Sequence, residues 1–223
     1  MNLDATMNPN DLLIDVLVDE DDCLTDMTSQ IKVISFTYQD ATFTKVNRNG
    51  TVIDSDMEEH PDVEIIDNED LLVQEFWGTV VQFAGGFTAD IEQPMNGRTR
   101  FYGWELTDKV WPIMVTKAIY YNSLHQDPNH IKVPKGLMAD LSQRWFRCDH
   151  LINVDVMYKQ GRAPMSKSCK LNGYQGLAYL SGLYVDDLAL MPDTRRFTMS
   201  DFNKLQAHMK RMAVLLKSYW WWQ

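Results

Sequence analysis

Two apolar stretches near the N-terminus govern the fold prediction: LLIDVLV at residues 12–18 and IKVISFTY at residues 31–38. The first is a short apolar run with one acid, Asp15, in its middle, which is typical of a buried strand. The second is rich in β-branched and aromatic residues and predicts a second strand. Residues 42–47 predict a third strand and residues 51–53 a short edge strand. The chain therefore opens with a β-meander.

Helices alternate with further strands in the rest of the chain. Leu72, Phe76 and Val80 recur at helical spacing and predict an amphipathic helix over residues 68–81. Residues 83–100 hold three glycines and a proline, which predicts a loop or hairpin insertion. The remaining predictions are a strand at 101–104, helices at 110–121 and 137–146, a strand at 151–157, and helices at 171–181 and 201–220, the last capped by Ser200. We expect one α/β domain over residues 1–223.

Composition and cysteine usage indicate an intracellular protein. The 223 residues are 45% hydrophobic, enough for one core without a disulfide staple. The three cysteines, Cys23, Cys148 and Cys169, form no CxxC pair, which argues against a disulfide framework and a structural zinc site. The N-terminus lacks a signal-peptide pattern, and no apolar run approaches the roughly 20 residues of a membrane span. We therefore expect a cytoplasmic protein with no membrane contact; the oligomeric state stays open.

Charge is divided unevenly along the chain. Residues 1–131 carry 7 basic and 24 acidic residues, a net charge of −17, whereas residues 132–223 carry 14 basic and 7 acidic residues, a net charge of +7. A molecule with this division has one part that attracts polyanions and one that repels them. Solvated acidic loops and a solvated basic helix would produce the same division, so both interpretations stay open.

Two stretches of the sequence bear on function. The first strand holds Asp15, followed two residues later by Leu17. The stretch YGWELTDKVWPIMVTKA, residues 102–118, holds Trp111 directly before a proline, with a Lys-Ala pair at its end.

With this layout the chain resembles the DEDD 3′-5′ exonucleases, which have an RNase H-like fold, and especially the proofreading domains of family B DNA polymerases. The resemblance extends over about residues 11–218 and implies an RNase H-like mixed sheet, with its N-terminal β-meander, flanked by helices. In that family the first strand carries D-x-E, and Leu17 here stands at the Glu position. Trp111 stands at the position of another metal-binding Asp. The last helix of the family carries Tyr-x-x-x-Asp, where this chain has Lys204 and His208.

The resemblance implies a degenerate catalytic site in which Asp15 is the matched carboxylate. Two-metal hydrolysis uses two cations about 3.5–4 Å apart, and neither Leu nor Trp offers Mg²⁺ an oxygen ligand. Mg²⁺ or Mn²⁺ is therefore expected as a cofactor only if the chain is active, with Asp15 and Asp108 as ligands, and otherwise none. A shifted register would bring other acids to the site, with candidates at Asp19–Asp22 and at Asp90 and Glu92.

A basic loop is the best candidate for contact with nucleic acid. Cations neutralise phosphates, and aromatic rings stack on bases without reading sequence. The residues concerned are Lys159, Arg162, Lys167 and Lys170, flanked by Tyr158 and Tyr174. An inert basic surface loop is the alternative.

The tail at residues 217–223 holds four consecutive aromatic residues, a Tyr followed by Trp220, Trp221 and Trp222. These tryptophans either fold back on the core or dock a partner, because Trp is enriched among interface anchors. His125 and His130 flank Asp127 in a polar loop, but without HExxH spacing they do not predict a zinc site.

Taken together, the sequence predicts an exonuclease-like domain that binds single-stranded nucleic acid or a replication protein without nuclease activity. Two alternatives stay open. One is an active metal-dependent 3′-5′ exonuclease, and the other is an acidic protein-interaction or inhibitor protein. The small size and aromatic tail would also suit a viral accessory protein.

Overall fold

The computed structural model describes residues 11–18, 30–38, 41–85, 100–103, 106–127, 129–133, 151–153 and 196–219. The strands are β1 Asp11–Val18, β2 Ile31–Tyr38, β3 Ala41–Asn47, β4 Val52–Ile53, β5 Val63–Ile66, β6 Arg100–Gly103, β7 Leu151–Asn153 and β8 Arg196–Phe197. The helices are α1 Ser55–Glu58, α2 Glu69–Gly85, α3 Trp111–His125 and α4 Met199–Tyr219, with a π-helical turn at Leu106–Val110. The architecture is α/β, with a mixed sheet flanked by helices.

The N-terminal meander forms the middle of a six-stranded sheet. Strands β1, β2 and β3 pair antiparallel in sequence order, which confirms the prediction from their β-branched and apolar composition. The full order is β5-β3-β2-β1-β6-β7. Strands β6 and β7 run parallel to β1, and β5 runs parallel to β3. The strand that carries Asp15, β1, is therefore one of the two central strands of the sheet.

Strand β1 is mostly apolar because both of its faces are covered. Successive side chains of a strand point to opposite faces. Leu12, Ile14 and Val16 pack in one core cluster with apolar residues of α2 and α3. Leu17 belongs to a second cluster, which includes Phe202 of α4. Helices α2 and α3 thus cover one face of the sheet, and α4 covers part of the other.

Helices α2 and α3 confirm the helical spacing read from the sequence. Leu72, Phe76 and Val80 are buried on one side of α2. Helix α2 continues to Gly85, four residues beyond the expected end, and residues 86–99, most of the predicted insertion, lie outside the described residues. Helix α3 has Pro112 in its first turn, as expected, and continues to His125.

The edge of the sheet differs from the prediction. Residues 52–53 do form a strand, but it pairs with β8 in a separate two-stranded sheet, and β5 takes the edge beside β3. Lys45 of β3 binds Glu64 of β5 and lies 2.9 Å from Glu75 of α2. Burial lowers the pKa of Lys45, but its hydrogen bonds to these two carboxylates outweigh burial and raise the pKa above its usual value. This lysine therefore ties β5 and α2 to the meander.

The last helix begins earlier than expected. Helix α4 starts at Met199, and its N-terminal cap is Thr198 rather than Ser200. Strands β6 and β7 coincide with the predicted strands at 101–104 and 151–157 where these are described, whereas the predicted helices at 137–146 and 171–181 lie outside the described residues. None of the helices described here is both long and apolar enough to span a membrane.

Candidate functional site

Asp15 lies at the centre of the sheet, on the face that α4 partly covers. The residues next to it in β1, Ile14 and Val16, point to the opposite face, which α2 and α3 cover. Asp15 is 3% exposed, and its cross-strand neighbour in β2 is Ser35. The prediction of a buried strand with one internal acid is thus confirmed, although a catalytic role for that acid stays a prediction.

A row of hydroxyl groups runs across the sheet beside Asp15. The Ser35 and Thr44 hydroxyls lie 3.0 Å apart, and those of Thr37 and Thr42 lie 2.9 Å apart. All four residues are buried. These paired hydroxyls satisfy each other across β2 and β3, which allows polar side chains to occupy the interior of the sheet. The face of the sheet is consequently polar next to Asp15.

The second acid on this face is too distant to share a cation with Asp15. Asp11 and Asp15 are four residues apart in one strand, which corresponds to about 13 Å at 3.3 Å per residue. Asp11 instead lies near Tyr102 of β6. Burial raises the pKa of Tyr102 above its usual value, and the negative charge of Asp11 raises it further. Asp11 therefore belongs to a separate polar cluster at the start of β1.

Leu17 stands two residues after Asp15, where the resemblance expects a glutamate. It is buried in an apolar cluster that joins the sheet to α4. The other members of the cluster are Val33, Val46, Met57, Phe197, Phe202 and Leu205. A carboxylate at this position would be surrounded by hydrocarbon and would lose its hydration. The apolar residue is therefore part of the packing between the sheet and α4.

Trp111, which occupies another expected aspartate position, lies in the core between the sheet and the helices. It packs edge-on against Phe76 and Trp77 at ring-centroid distances of 5.9 and 5.2 Å, and it also contacts Phe101 at 5.8 Å. Edge-on aromatic pairs at such distances stabilise a core beyond the area that they bury. The position has a structural role in packing α2, α3 and β6 together.

Asp108 lies in the π-helical turn between β6 and α3. Its side chain is exposed, and its Oδ1 atom accepts a 3.0 Å hydrogen bond from the Thr107 hydroxyl. The turn is held to β7 because the Thr107 backbone N–H donates to Oδ1 of Asn153 at 2.8 Å. Asp108 is thus exposed to solvent, whereas Asp15 is buried. The role of Asp108 as a metal ligand stays a prediction.

The remaining predicted site residues are described only in part. Lys204 of α4 lies 3.3 Å from Oδ1 of Asp201, one turn earlier. The side chain of His208 and the acids of the shifted-register alternatives lie outside the described residues. The same holds for the predicted nucleic-acid and docking residues: Tyr158, Lys159, Arg162, Lys167, Lys170, Tyr174, Trp220, Trp221 and Trp222.

Glu69 is the centre of a buried polar cluster that joins α2, α3 and β2. Its Oε1 atom accepts a 2.7 Å bond from the Ile31 backbone N–H and lies 3.0 Å from Lys117 Nζ. Its Oε2 atom accepts a 2.6 Å bond from the Tyr121 hydroxyl. Burial raises the pKa of Tyr121 strongly, and the neighbouring Glu69 carboxylate raises it further. Lys117, from the Lys-Ala pair at the end of the stretch 102–118, thus has a structural partner in Glu69.

Asp70, the next residue of α2, forms a cluster with His125 and His130 that sequence reasoning missed. One nitrogen or oxygen atom from each of the three lies within 4.8 Å of the others. The Asp70 carboxylate lies 2.6 Å from His125 Nε2 and 3.3 Å from His130 Nε2. The two histidines are close in sequence, but Asp70 is 55 residues before His125. No spacing rule connects residues so far apart, so only the pairing of α2 with α3 reveals the cluster.

Comparison of the chain with models of known protein families found no match. A comparison with curated proteins also found no significant similarity.

Proposed function

We propose that this chain is an RNase H-like domain of the exonuclease type that binds single-stranded nucleic acid without hydrolysing it. The observation that carries the proposal is the sheet order. An antiparallel β1-β2-β3 meander with β6 and β7 added parallel to β1 is compatible with that fold. Asp15 lies in one of the two central strands of this arrangement, where the resemblance expects the first metal-binding acid.

The absence of hydrolysis is proposed from the described residues around Asp15. Two-metal catalysis requires oxygen ligands for two cations about 3.5–4 Å apart. Leu17, two residues along the same face, packs against α4, and Asp11 is about 13 Å away along the strand. Trp111 is buried in the aromatic core. The acids compared here, all within the described part of the chain, leave Asp15 as a single carboxylate. Such a carboxylate binds Mg²⁺ weakly, because this ion keeps most of its own water unless several oxygen ligands replace it.

Binding of nucleic acid is proposed from the charge division. The basic residues 132–223 would attract phosphates, and the aromatic residues among them would stack on bases. Within the described part, several acids of the N-terminal half are engaged by cations of their own, as Glu64 and Glu75 are by Lys45.

The proposal is tested with end-labelled single-stranded DNA and RNA, incubated with the purified protein and Mg²⁺ or Mn²⁺. We expect a shifted band in a binding gel and no shortening of the label in a denaturing gel. Asp15→Asn is the matched control, because asparagine has nearly the same shape and lacks the charge. The variant is expected to leave the absence of shortening unchanged.

Metal-dependent shortening by the wild type that Asp15→Asn abolishes would overturn the proposal and establish an active exonuclease. Metal-dependent shortening that persists in Asp15→Asn, and that is absent from a mock purification without the protein, would also overturn the proposal and would place the metal on other acids of the chain. A result with no binding and no shortening would contradict the proposal and would favour the acidic protein-interaction alternative.

A further inference from the structure

We infer that Asp70, His125 and His130 form a binding site for a divalent cation of the zinc class. This inference is independent of the proposed function. The cluster lies at the N-terminal turn of α2 and the C-terminal end of α3, on the opposite side of the sheet from Asp15. Two imidazoles and one carboxylate are a common ligand set for zinc and related transition metals.

The distances between the ligand atoms suit a single ion. Zinc lies about 2.0–2.2 Å from nitrogen and oxygen ligands, so two ligands at the tetrahedral angle are about 3.4 Å apart. His130 Nε2 lies 3.3 and 3.4 Å from the two carboxylate oxygens of Asp70. His125 Nε2 lies 2.6 Å from Asp70 Oδ2, a hydrogen-bond distance that must lengthen by about 0.8 Å to admit an ion. Because the His125 side chain is 46% exposed, this movement meets little resistance.

The two histidine rings lie next to each other at the cluster. Their centroids are 4.0 Å apart with an interplanar angle of 35°, and both present Nε2 to the same carboxylate. The amide nitrogen of Gln74 lies 3.0 Å from His130 Nε2. A bound ion would take the lone pair of His130 Nε2 and would replace this contact. An imidazole with a free lone pair is the form that binds a metal.

The fold anchors the backbone of each ligand residue. Asp70 follows Glu69, whose buried hydrogen bonds anchor the first turn of α2 to α3 and β2. His125 is the last residue of α3. His130 precedes Ile131, a buried core residue whose backbone forms two hydrogen bonds with the Asn122 side chain, at 2.7 and 3.1 Å. Ligands held in place before the ion arrives lose little entropy on binding it.

The ligand types select the metal. Two nitrogen ligands disfavour Mg²⁺, which prefers an all-oxygen octahedral shell. Imidazole and carboxylate together suit Zn²⁺ and Co²⁺, with water completing the coordination. The exposed edge of His125 leaves a path for the ion and its water. The bound ion would link the beginning of α2 to the loop after α3, and by stabilising the folded state it would raise the melting temperature.

The experiment measures binding of Zn²⁺ and Co²⁺ to the metal-free full chain by calorimetry, with Co²⁺ also followed through its visible absorption. We expect one equivalent of either metal, release of a proton on binding, and no competition from excess Mg²⁺. His125→Gln and His130→Gln should each weaken Zn²⁺ binding by at least about 10- to 100-fold, since even the loss of an outer partner has that effect.

Asp127→Asn is the matched control. Asp127 is an exposed acid in the same loop, and asparagine keeps the oxygen that accepts the 2.8 Å bond from the Asn129 backbone N–H. This variant should bind Zn²⁺ as the wild type does, which separates coordination from general attraction of cations. Circular dichroism of each histidine variant shows that it remains folded. Wild-type binding in the His125→Gln, His130→Gln double variant, or no binding by the wild type, would overturn the inference and leave a hydrogen-bonded ion pair only.

Discussion

At the scale of single residues, Glu69 shows how tertiary contacts change the structural role of a side chain. An acid in the first turn of a helix normally faces solvent, and its negative charge interacts favourably with the helix dipole. Glu69 is instead buried and joins the Ile31 backbone, Lys117 and Tyr121. Removing one partner of a buried ion pair leaves an uncompensated charge, which typically costs about 3–5 kcal/mol. The cluster therefore depends on all of its members together.

Tyr121 gives this cluster a measurable dependence on alkaline pH. Its folded-state pKa is raised by burial and by Glu69, whereas tyrosine in an unfolded chain ionises near about pH 10. The folded state therefore keeps a proton that the unfolded state loses, so this contribution is present below about pH 10 and is lost as pH rises further. Urea unfolding from about pH 8 to 11 should show a smaller loss of stability in Tyr121→Phe than in the wild type.

The neighbouring Tyr120→Phe is the control for this measurement, because Tyr120 is 46% exposed. It should keep the wild-type slope. Tyr102 is present in every variant and has a raised pKa of its own, so part of the alkaline loss should remain in Tyr121→Phe. Equal slopes in the wild type and Tyr121→Phe would contradict the assignment of the hydrogen bond to Glu69.

At the scale of the element, the N-cap of helix α4 lies two residues before the position that the sequence predicted. Ser200 was a plausible N-cap, but Thr198 and Asp201 form a reciprocal capping box. The Asp201 backbone N–H donates to the Thr198 hydroxyl at 3.3 Å, and the Asp201 carboxylate accepts from the Thr198 backbone N–H at 3.1 Å and from its hydroxyl at 2.6 Å. Serine and threonine are both good capping residue types. The burial of Phe202 places the helix so that Thr198 is the cap.

Replacing the capping residue should destabilise the protein measurably. Thr198→Ala removes the hydroxyl that satisfies the Asp201 N–H, which typically costs about 1 kcal/mol, within a range of about 0.5–2. Ser200→Ala, at an exposed position inside the helix, should change the free energy of unfolding by less than about 0.5 kcal/mol. Urea midpoints of the two variants check the prediction, and a larger cost for Ser200→Ala would place the cap at Ser200 instead.

Among the strands, the antiparallel meander was easier to predict than the parallel additions. Strands β1, β2 and β3 follow one another in the chain and pair with their neighbours, so local composition was sufficient. Strand β5 pairs parallel with β3, and β4 pairs with β8 across more than 140 residues. Parallel and distant pairings leave no local pattern in the sequence, because the partner strand is supplied by another part of the chain.

At the scale of the whole molecule, the charge division leads to a prediction about salt. If the four cations Lys159, Arg162, Lys167 and Lys170 each neutralise one phosphate, affinity for a single strand falls with a logarithmic slope of about −0.7 per contact. A fourfold increase in salt, from about 50 to 200 mM, should then weaken binding about 50-fold. Fluorescence anisotropy with a labelled oligonucleotide measures this slope.

Changing all four cations to Gln should weaken binding at low salt and flatten the slope to near zero. The control is the double variant of exposed Lys132 and Lys210, also changed to Gln, which belongs to the same basic half of the chain. It should retain most of the wild-type slope. Equal effects of the two sets would show that general charge, rather than the 159–170 loop, carries the interaction.

By itself, the sequence was sufficient for the local features: the three meander strands, the amphipathic face of α2, the start of α3 at its proline, and the buried acid in β1. Each of these depends on residues close together in the chain, whose periodicity records which side is buried. The tertiary structure alone decided the packing of Leu17 against α4, the burial of Glu69 with Lys117, and the meeting of Asp70 with two histidines more than 50 residues away. These contacts join distant segments, and their distances are set by how the helices pack on the sheet rather than by any spacing along the chain.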